Sequence, residues 1–359
     1  MKNILMYLNI PWGFIKQRPQ FMAEKLSQYF DVFVYYNKPY KQTYLVQTDA
    51  TEEQVNLIER PKVPRKTKFL KQIDNVIQRL FLKRYIKRCD TVWIMHPDQY
   101  EILKTKIKNK RVVYDCMDDY SQFPHLAEKE QHRLRNIEEE LVKRADYTFY
   151  TSNTLQQRYK IRYKSTQKSY VINNGFEPIQ NIVEDSKVRE FLKGINGKKL
   201  IYIGAIAQWF DLELIQEVLN SNPDVHIVLF GPTDIELPTL ERLHCFGKIP
   251  HSSIYTAMKY ADVLMMPFKI NPLIEAVDPI KVYEYIYSTK PVLVPDYEEM
   301  KKFKGYVAIY RDIDDFNHQL RKSIEKVDNY NLESFKQTNT WEARARQICD
   351  ILNNEGKVE

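Results

Sequence analysis

The chain reads as an α/β protein made of two successive strand-and-helix halves, and three observations predict this. Short apolar runs bounded by turn residues, the pattern of strands buried on both faces, alternate with helical stretches along most of its length. The pattern begins at Ile4–Leu8 and begins again at Lys199–Gly204, each time a strand leading into a glycine-bearing loop. A length of 359 residues is that of two domains rather than one.

Composition narrows the class further. With 43% hydrophobic and 28% charged residues the chain is an ordinary globular protein, and its net charge of +7 suggests an anionic partner without naming one. No apolar run reaches transmembrane length, and Met1–Ile10 is too short, and too soon interrupted by Pro11, for a signal peptide. Cys89, Cys116, Cys245 and Cys349 form no CxxC pair. The expectation is a reduced, cytoplasmic protein without structural zinc.

In chain order, Ile4–Leu8 is the first strand, a helix starts near Arg18-Pro19 and runs to Tyr29, and Val32–Tyr36 is the second strand. The first loop holds Trp12 and a lone Gly13 and lacks G-x-G-x-x-G, which argues against a dinucleotide oxidoreductase. From Arg60 to Arg88 eleven Lys and Arg are opposed only by Asp74, while Leu70, Ile73, Val76, Ile77, Leu80 and Phe81 recur at helical spacing. Such a helix either lies on an anionic membrane surface or packs on the core with a solvated charged face. Nucleic acid fits less well, since no aromatic platform accompanies the charge.

Thr91–Met95 is a buried strand that ends in His96-Pro97-Asp98, so His96 either faces a ligand at the sheet's carboxyl end or caps the next helix. Arg111–Tyr114 leads into Asp115-Cys116-Met117-Asp118-Asp119-Tyr120. Adjacent carboxylates at a strand tip suit a base and its orienting partner, with a helix cap or a surface position as the alternative for Asp119. A helix over His125–Arg144, a strand over Tyr147–Tyr150 and a cap at Thr151-Ser152 follow. After Tyr170–Ile172, Asn174-Gly175 predicts a tight turn with positive φ, and Ile179–Glu190 reads as a linker.

In the second half, Gly204 permits close backbone approach to a phosphate, and Asp211 caps a helix to about Leu219. Val225–Phe230 is a strand that turns at Gly231-Pro232. The densest stretch runs from Val263 to Asp296: a strand to Met266, a loop, Asp278 as N-cap with Pro279 at the first helical position, and a strand over Val292–Pro295. A helix N-terminus at the carboxyl end of a parallel sheet favours an anion. Lys281 in the first turn adds a cation for phosphate, and Glu284 three residues on supplies a carboxylate for sugar hydroxyls. Together they describe a nucleotide-sugar site.

The order of Pro272, Glu275, Pro279, Lys281, Glu284, Tyr285, Lys290, Pro291 and Val292 resembles the donor motif of GT-B glycosyltransferases. The resemblance is to bacterial cell-surface polysaccharide enzymes of the teichuronic-acid and xanthan glucuronosyltransferase type. It extends through Trp12…Gln17-Arg18-Pro19, Asp115…Asp118-Asp119…Phe123, Asn174-Gly175, Gly204…Trp209-Phe210-Asp211, Phe246–Pro250 and Trp341…Arg344. It implies a GT-B fold, two Rossmann-like domains facing across a cleft. Residues 1–182 would bind the acceptor and 183–337 the nucleotide sugar, with 338–359 a helix packed back on the first domain.

The activity implied is transfer of a sugar from a nucleoside diphosphate, UDP above all, to a glycan or lipid-linked acceptor, by a protein peripheral to the inner face of the cell membrane. The resemblance places Gly204, Trp209, Pro279, Lys281, Glu284 and Glu275 at the donor and Trp12, Gly13 and Arg18 on the acceptor side. Asp118 would be the base of an inverting reaction, whereas in a retaining one Asp118 and His96 would position the sugar, and no metal or other cofactor is implied. Two departures stand out. Glu275 is one residue out of register with the usual glutamate pair, and the Arg and Lys that commonly follow the glycine loop are missing. Lys281 must then do more, with Lys269 or His251 as candidate helpers. A sugar-nucleotide epimerase and a non-catalytic partner subunit of this fold are the rival readings.

Overall fold

The computed structural model describes residues 3–13, 16–38, 55–61, 67–164, 168–179, 183–325 and 332–353. The chain divides into two units, residues 1–173 with 341–359, and residues 174–340. The boundary expected after residue 182 falls at residues 180–182, outside the described ones. Residues 62–66 of the basic stretch also lie outside them.

In the first unit the strands are β1 (Asn3–Tyr7), β2 (Asp31–Lys38), β3 (Asn56–Pro61), β4 (Thr91–Ile94), β5 (Arg111–Cys116), β6 (Tyr147–Tyr150) and β7 (Ser169–Val171). They form a parallel sheet in the order β3-β2-β1-β4-β5-β6-β7. Leu5 at its centre pairs with Phe33 on one side and Val92 on the other. Strand order reverses beside β1 and β4, so their carboxyl ends open the crevice where such sheets bind ligands. The strand β3 was not foreseen: Glu59, Arg60 and Pro61 interrupt its apolar run, which only the sheet edge tolerates. The connecting helices are α1 (Arg18–Leu26), α2 (Lys68–Arg88), α3 (Pro97–Leu103), α4 (Glu128–Arg144) and α5 (Asn153–Tyr163).

Helix α2 does not pack as a core helix with a charged outer face. In its first half Asp74 and Gln78 face inward and are fully buried, while Ile73, Val76, Ile77 and Leu80 are exposed. The sheet edge beneath dictates this. Arg60 Nη2 lies 2.5 Å from Asp74 Oδ1, Gln78 Nε2 donates to Asp74 Oδ2 at 2.8 Å, and the Tyr7 and Tyr35 hydroxyls both donate to Gln78 Oε1. A sheet edge that offers an arginine and two phenols requires polar partners, because unpaired buried polar groups cost more than exposed aliphatic ones. In the second half the ordinary pattern returns, with Leu82 and Ile86 inward.

The second unit has β8 (Lys198–Ile203), β9 (Val225–Phe230), β10 (Leu243–Gly247), β11 (Val263–Met265), β12 (Val292–Pro295) and β13 (Ala308–Tyr310), parallel in the order β10-β9-β8-β11-β12-β13. Its helices are α6 (Ser186–Lys193), α7 (Leu212–Ser221), α8 (Ile254–Lys259), α9 (Ile280–Tyr287), α10 (Ile313–Glu325) and α11 (Leu332–Asn339). Asp211 caps α7 as expected, its carboxylate accepting from Leu214 N at 3.1 Å. Gly231 must be glycine: at φ +141° an added Cβ would lie 2.0 Å from the Gly204 carbonyl oxygen.

Two turn readings are corrected. Gly175 does not take positive φ. Instead Asn174 is held to Asp278, its backbone N–H donating to the carboxylate at 2.5 Å and its side-chain amide to the Asp278 carbonyl at 2.6 Å. Asp278 is therefore not the cap of α9. Pro279 is the N-cap residue and the helix begins at Ile280.

The chain returns to the first unit as α12 (Trp341–Asn353), which packs on α1. Trp341 is fully buried and stacks on Phe21, ring centroids 5.0 Å apart. Among the described residues no helix is long and apolar enough to cross a membrane. Removing the indole leaves a large cavity, so Trp341→Ala is expected to cost about 3–5 kcal/mol of unfolding free energy. Urea denaturation measures this, and an unchanged midpoint would show that the α1–α12 contact contributes nothing to stability.

Candidate functional site

In the second unit the site forms where the end of β8 meets the first turn of α9. Tyr285 of α9 fastens the two, its hydroxyl accepting from Ile203 N at 2.7 Å. The chain then passes through Gly204 at φ +154°, where an added Cβ would lie 2.8 Å from Lys281 Cε and 2.9 Å from the Tyr202 hydroxyl. Glycine is what lets the lysine stem lie against this backbone. Lys281 Nζ rests 4.8 Å from the Phe268 ring centroid and 5.5 Å from that of Tyr202. Among the described residues no carboxylate pairs with it. Desolvation pushes its pKa down to about 8, against a smaller opposing pull from Glu284. This is a poorly hydrated cation on two aromatic faces, at a helix start, without a counter-ion.

One turn along, Glu284 is buried and bonded through Oε1 to His251 Nε2 at 2.8 Å. His251 thus engages the carboxylate expected at the ribose rather than the phosphate. Lys269, the other expected helper, is exposed and pairs with Glu213 at 3.2 Å. Trp209 is half-buried, and its carbonyl accepts from Lys269 N. Pro279 is buried at the α9 N-cap, and Glu275 is exposed on the short turn Ile274–Ala276. A nearby cavity of about 480 Å³ is lined by Asp211, Glu213, Glu217, Asp296 and Asp312 among others. That acidic wall is unsuited to a diphosphate.

In the first unit the carboxyl ends of the paired strands β4 and β5 bring His96, Asp118, Asp119 and Tyr120 together. The Tyr120 hydroxyl donates to the Met95 carbonyl at 2.7 Å, and its ring lies 4.5 Å from that of His96. His96 does cap α3, Nδ1 accepting from Asp98 N at 3.1 Å. The proton therefore sits on Nε2, and burial lowers the imidazole pKa, so the ring is neutral at pH 7.

The two adjacent aspartates have opposite surroundings. Asp119 is fully buried and takes both guanidinium nitrogens of Arg162, at 3.0 and 2.6 Å, with Arg158 at 3.5 Å and the Ser121 hydroxyl at 2.8 Å. Burial alone would raise its pKa, but Arg162 outweighs it and the net shift is downward. Asp118 has no side-chain hydrogen bond or ion pair among the described residues. Burial, reinforced by Asp119, pushes it up to about 6.

Arg18, expected on the acceptor side, is only 2% exposed. It pairs with Asp115 at 2.8 Å and donates to the Ile172 carbonyl at 2.9 Å, which makes it a structural tie rather than an available cation. Trp12 is buried, and Gly13 has open space where a Cβ would sit. Sequence reasoning missed the aromatic platform of Tyr202 and Phe268 and the pairing of His251 with Glu284. It also missed Arg158 and Arg162, whose spacing of one helical turn was the available signal.

No family model matches the chain. Over 239 residues, 62% of this chain and 60% of the relative, it is 26% identical to a Bacillus subtilis (strain 168) protein described as "Putative teichuronic acid biosynthesis glycosyltransferase TuaH". The fold matches sucrose-phosphate synthase from Thermosynechococcus elongatus (TM-score 0.70, 14% identity, 99% of each chain). It also matches Anabaena HepE in complex with UDP and glucose (TM-score 0.69, 14% identity, 99% of this chain and 100% of that one). The chain has the GT-B fold of these structures, and the resemblance read from its motifs is borne out at that level.

The paired aspartates predict different outcomes. Asp119→Asn removes the carboxylate that both terminal nitrogens of Arg162 hold and should cost roughly 3 kcal/mol, since breaking a buried pair leaves an uncompensated charge. Asp118→Asn should leave the protein at least as stable at pH 8. A carboxyl with a raised folded pKa contributes stability below its unfolded pKa and loses it as pH climbs through 6. Thermal melts of both variants at pH 5 and pH 8 check the contrast.

Proposed function

We propose that this chain is a glycosyltransferase that moves a sugar from a nucleoside diphosphate, UDP in the first instance, to a glycan or lipid-linked acceptor in cell-surface polysaccharide synthesis. The observation that carries the reading is Lys281: desolvated, without a carboxylate partner among the described residues, and packed against Gly204 at the first turn of α9. The relative described as a teichuronic acid glycosyltransferase and the UDP complex of HepE support the choice of pathway and donor.

In the reaction the bond between the sugar's anomeric carbon and the diphosphate oxygen breaks, and the acceptor oxygen forms the new bond. Charge grows on the departing diphosphate, where Lys281 and the N–H groups of the α9 first turn offset it without a metal ion. Glu284, steadied by His251 on Oε1, keeps its other oxygen for the ribose hydroxyls. Asp118 takes the acceptor's proton in an inverting reaction. A base with pKa about 6 is ionised at neutral pH and still strong enough to draw a hydroxyl proton in the transition state. Asp119 holds the loop through Arg162 and stays ionised.

UDP should raise the melting temperature of the wild type and not of Lys281→Met, with a loss of affinity of tenfold or more. Because Lys281 must be protonated to bind a diphosphate, wild-type affinity should fall as pH rises past about 8, and the variant's weak binding should not. Calorimetric titration across pH 6.5–9.5 reads both. Absence of any shift with nucleotides or sugar nucleotides overturns the reading in favour of a non-catalytic subunit, for which a cation-free 204–211 loop would be the expected trace.

With a glycan acceptor, kcat/KM should fall below pH about 6 as Asp118 is protonated. Asp118→Asn should lose about a hundredfold or more in turnover while keeping its UDP shift. A variant that keeps wild-type turnover removes Asp118 from the base role.

A further inference from the structure

We propose that the second unit carries an anion-binding pocket at the amino ends of β12 and β13, fitted to a small phosphate ester. The pocket takes no residue from the donor site and does not depend on the transferase reading. A cavity of about 320 Å³ opens there, at the lower end of the range for small-molecule sites. Its wall includes Lys290 just before β12, Lys304 and Tyr306 just before β13, and Gln319 and Lys322 from α10. The first residues of the two strands give it an apolar floor. Among the described residues no carboxylate lines it.

The three lysines are not matched within the fold. Among the described residues none of their ammonium groups has a hydrogen bond or an ion pair. Lys290 is half-buried, and burial draws its pKa down against the opposing pull of Asp262, whose carboxylate accepts from Lys199 N at 2.7 Å. Like charges gathered round a concavity raise the local potential and attract an anion. The backbone at the rim is a second observation. Thr289, which also lines the cavity, follows the end of α9 at φ +61°. Glycine is the residue this helix-end position favours, and a β-branched side chain there is strained. Such strain gathers at ligand sites, and here it adds a threonine to the wall of a cationic cavity.

Charge and size select the ligand. Three ammonium groups suit a partner with more than one negative charge, and a phosphate monoester carries close to two at neutral pH. The apolar floor, Tyr306 and Gln319 offer an organic group contacts that free phosphate cannot use. The volume is small for a nucleotide sugar. Position also separates this pocket from the donor site: Lys281 lies in the first turn of α9 and Thr289 beyond its last, about 12 Å along the axis. Lys290, which the donor-motif resemblance includes, therefore serves a different anion from Lys281.

The test is calorimetric titration of the whole protein with glycerol 3-phosphate, glucose 6-phosphate, inorganic phosphate and uncharged glucose. At least one ester should bind about tenfold more tightly than inorganic phosphate, and glucose should not bind. Lys290→Ala/Lys322→Ala should weaken ester binding by about tenfold or more. Lys304→Ala alone, at an exposed position, should lose about fivefold, so the site can be read even if the double variant does not fold. Lys187→Ala/Lys193→Ala, two exposed lysines elsewhere in the same unit, removes equal charge and should bind within about twofold of wild type. Lys281→Met should also bind the ester within about twofold, which separates the pocket from the donor site.

Failure of wild type to bind either ester overturns the proposal. So does inorganic phosphate binding as tightly as the esters, which would make this a site for the free ion. Equal losses from the two lysine pairs reduce the effect to net charge, and loss of ester binding in Lys281→Met assigns it to the donor site instead; either result also overturns the proposal.

Discussion

The start of α9 depends on one buried carboxylate. Asp278 accepts from the backbone of Asn174, from the Tyr283 hydroxyl at 3.0 Å and from Lys302 Nζ at 2.7 Å. These partners come from separate stretches of the second unit, so the carboxylate closes the unit on itself at the point where the helix begins. Fixing Asp278 fixes Pro279, and Pro279 fixes the first turn that carries Lys281. An ion pair with several hydrogen bonds to one buried carboxylate is expensive to disturb from any side. In the reaction proposed above that rigidity matters, because a charge is useful to a developing anion only if it is already in place.

The first unit solves a related problem with two adjacent aspartates. Neighbouring carboxylates titrate differently only when their surroundings differ, and α5 supplies the difference. Arg162 grips Asp119 with both terminal nitrogens while Asp118 meets burial and its neighbour's charge. One residue is thereby committed to holding the loop and the other is left with a raised pKa. His96 belongs to the same arrangement: capping α3 through Nδ1 orients Nε2–H and keeps the ring neutral. Capping and ligand contact, rivals in the sequence, are compatible in the fold because they use different nitrogens.

What could be read in the sequence follows from what is local. The strands Tyr147–Tyr150, Val225–Phe230 and Val292–Pro295 are apolar on both faces, so periodicity alone located them. The Asp211 cap and the Lys281–Glu284 spacing are likewise local chemistry. Edge strands β3 and β10 were not legible, because one open side relaxes the demand for apolar residues. The Asn-Gly turn failed for a non-local reason: Asp278, about a hundred residues away in sequence, bonds Asn174 and holds the chain extended. Helix α2 failed in the same way. Its apolar spacing was genuine, but the side facing the sheet was decided by Tyr7, Tyr35 and Arg60. Nothing within residues 68–88 announces that they wait there.

For the donor site proposed above, the missing cations after Gly204 change the electrostatic problem rather than leave it unsolved. Two solvated side chains would each act through water, where a unit charge at 4 Å is worth about 1 kcal/mol. Lys281 is shielded by Tyr202 and Phe268, and at the effective dielectric of a protein surface the same separation is worth about 4 kcal/mol. A single desolvated charge can therefore do the work of two hydrated ones, at the cost of a pKa drawn down to about 8. The aromatic faces limit that cost by giving the ammonium a partial substitute for water. Gly204 limits it further by making room for the lysine stem without displacing backbone. The glycine, the two rings and the lysine are thus one device, and the unusual loop sequence is intelligible only together with the platform beneath it.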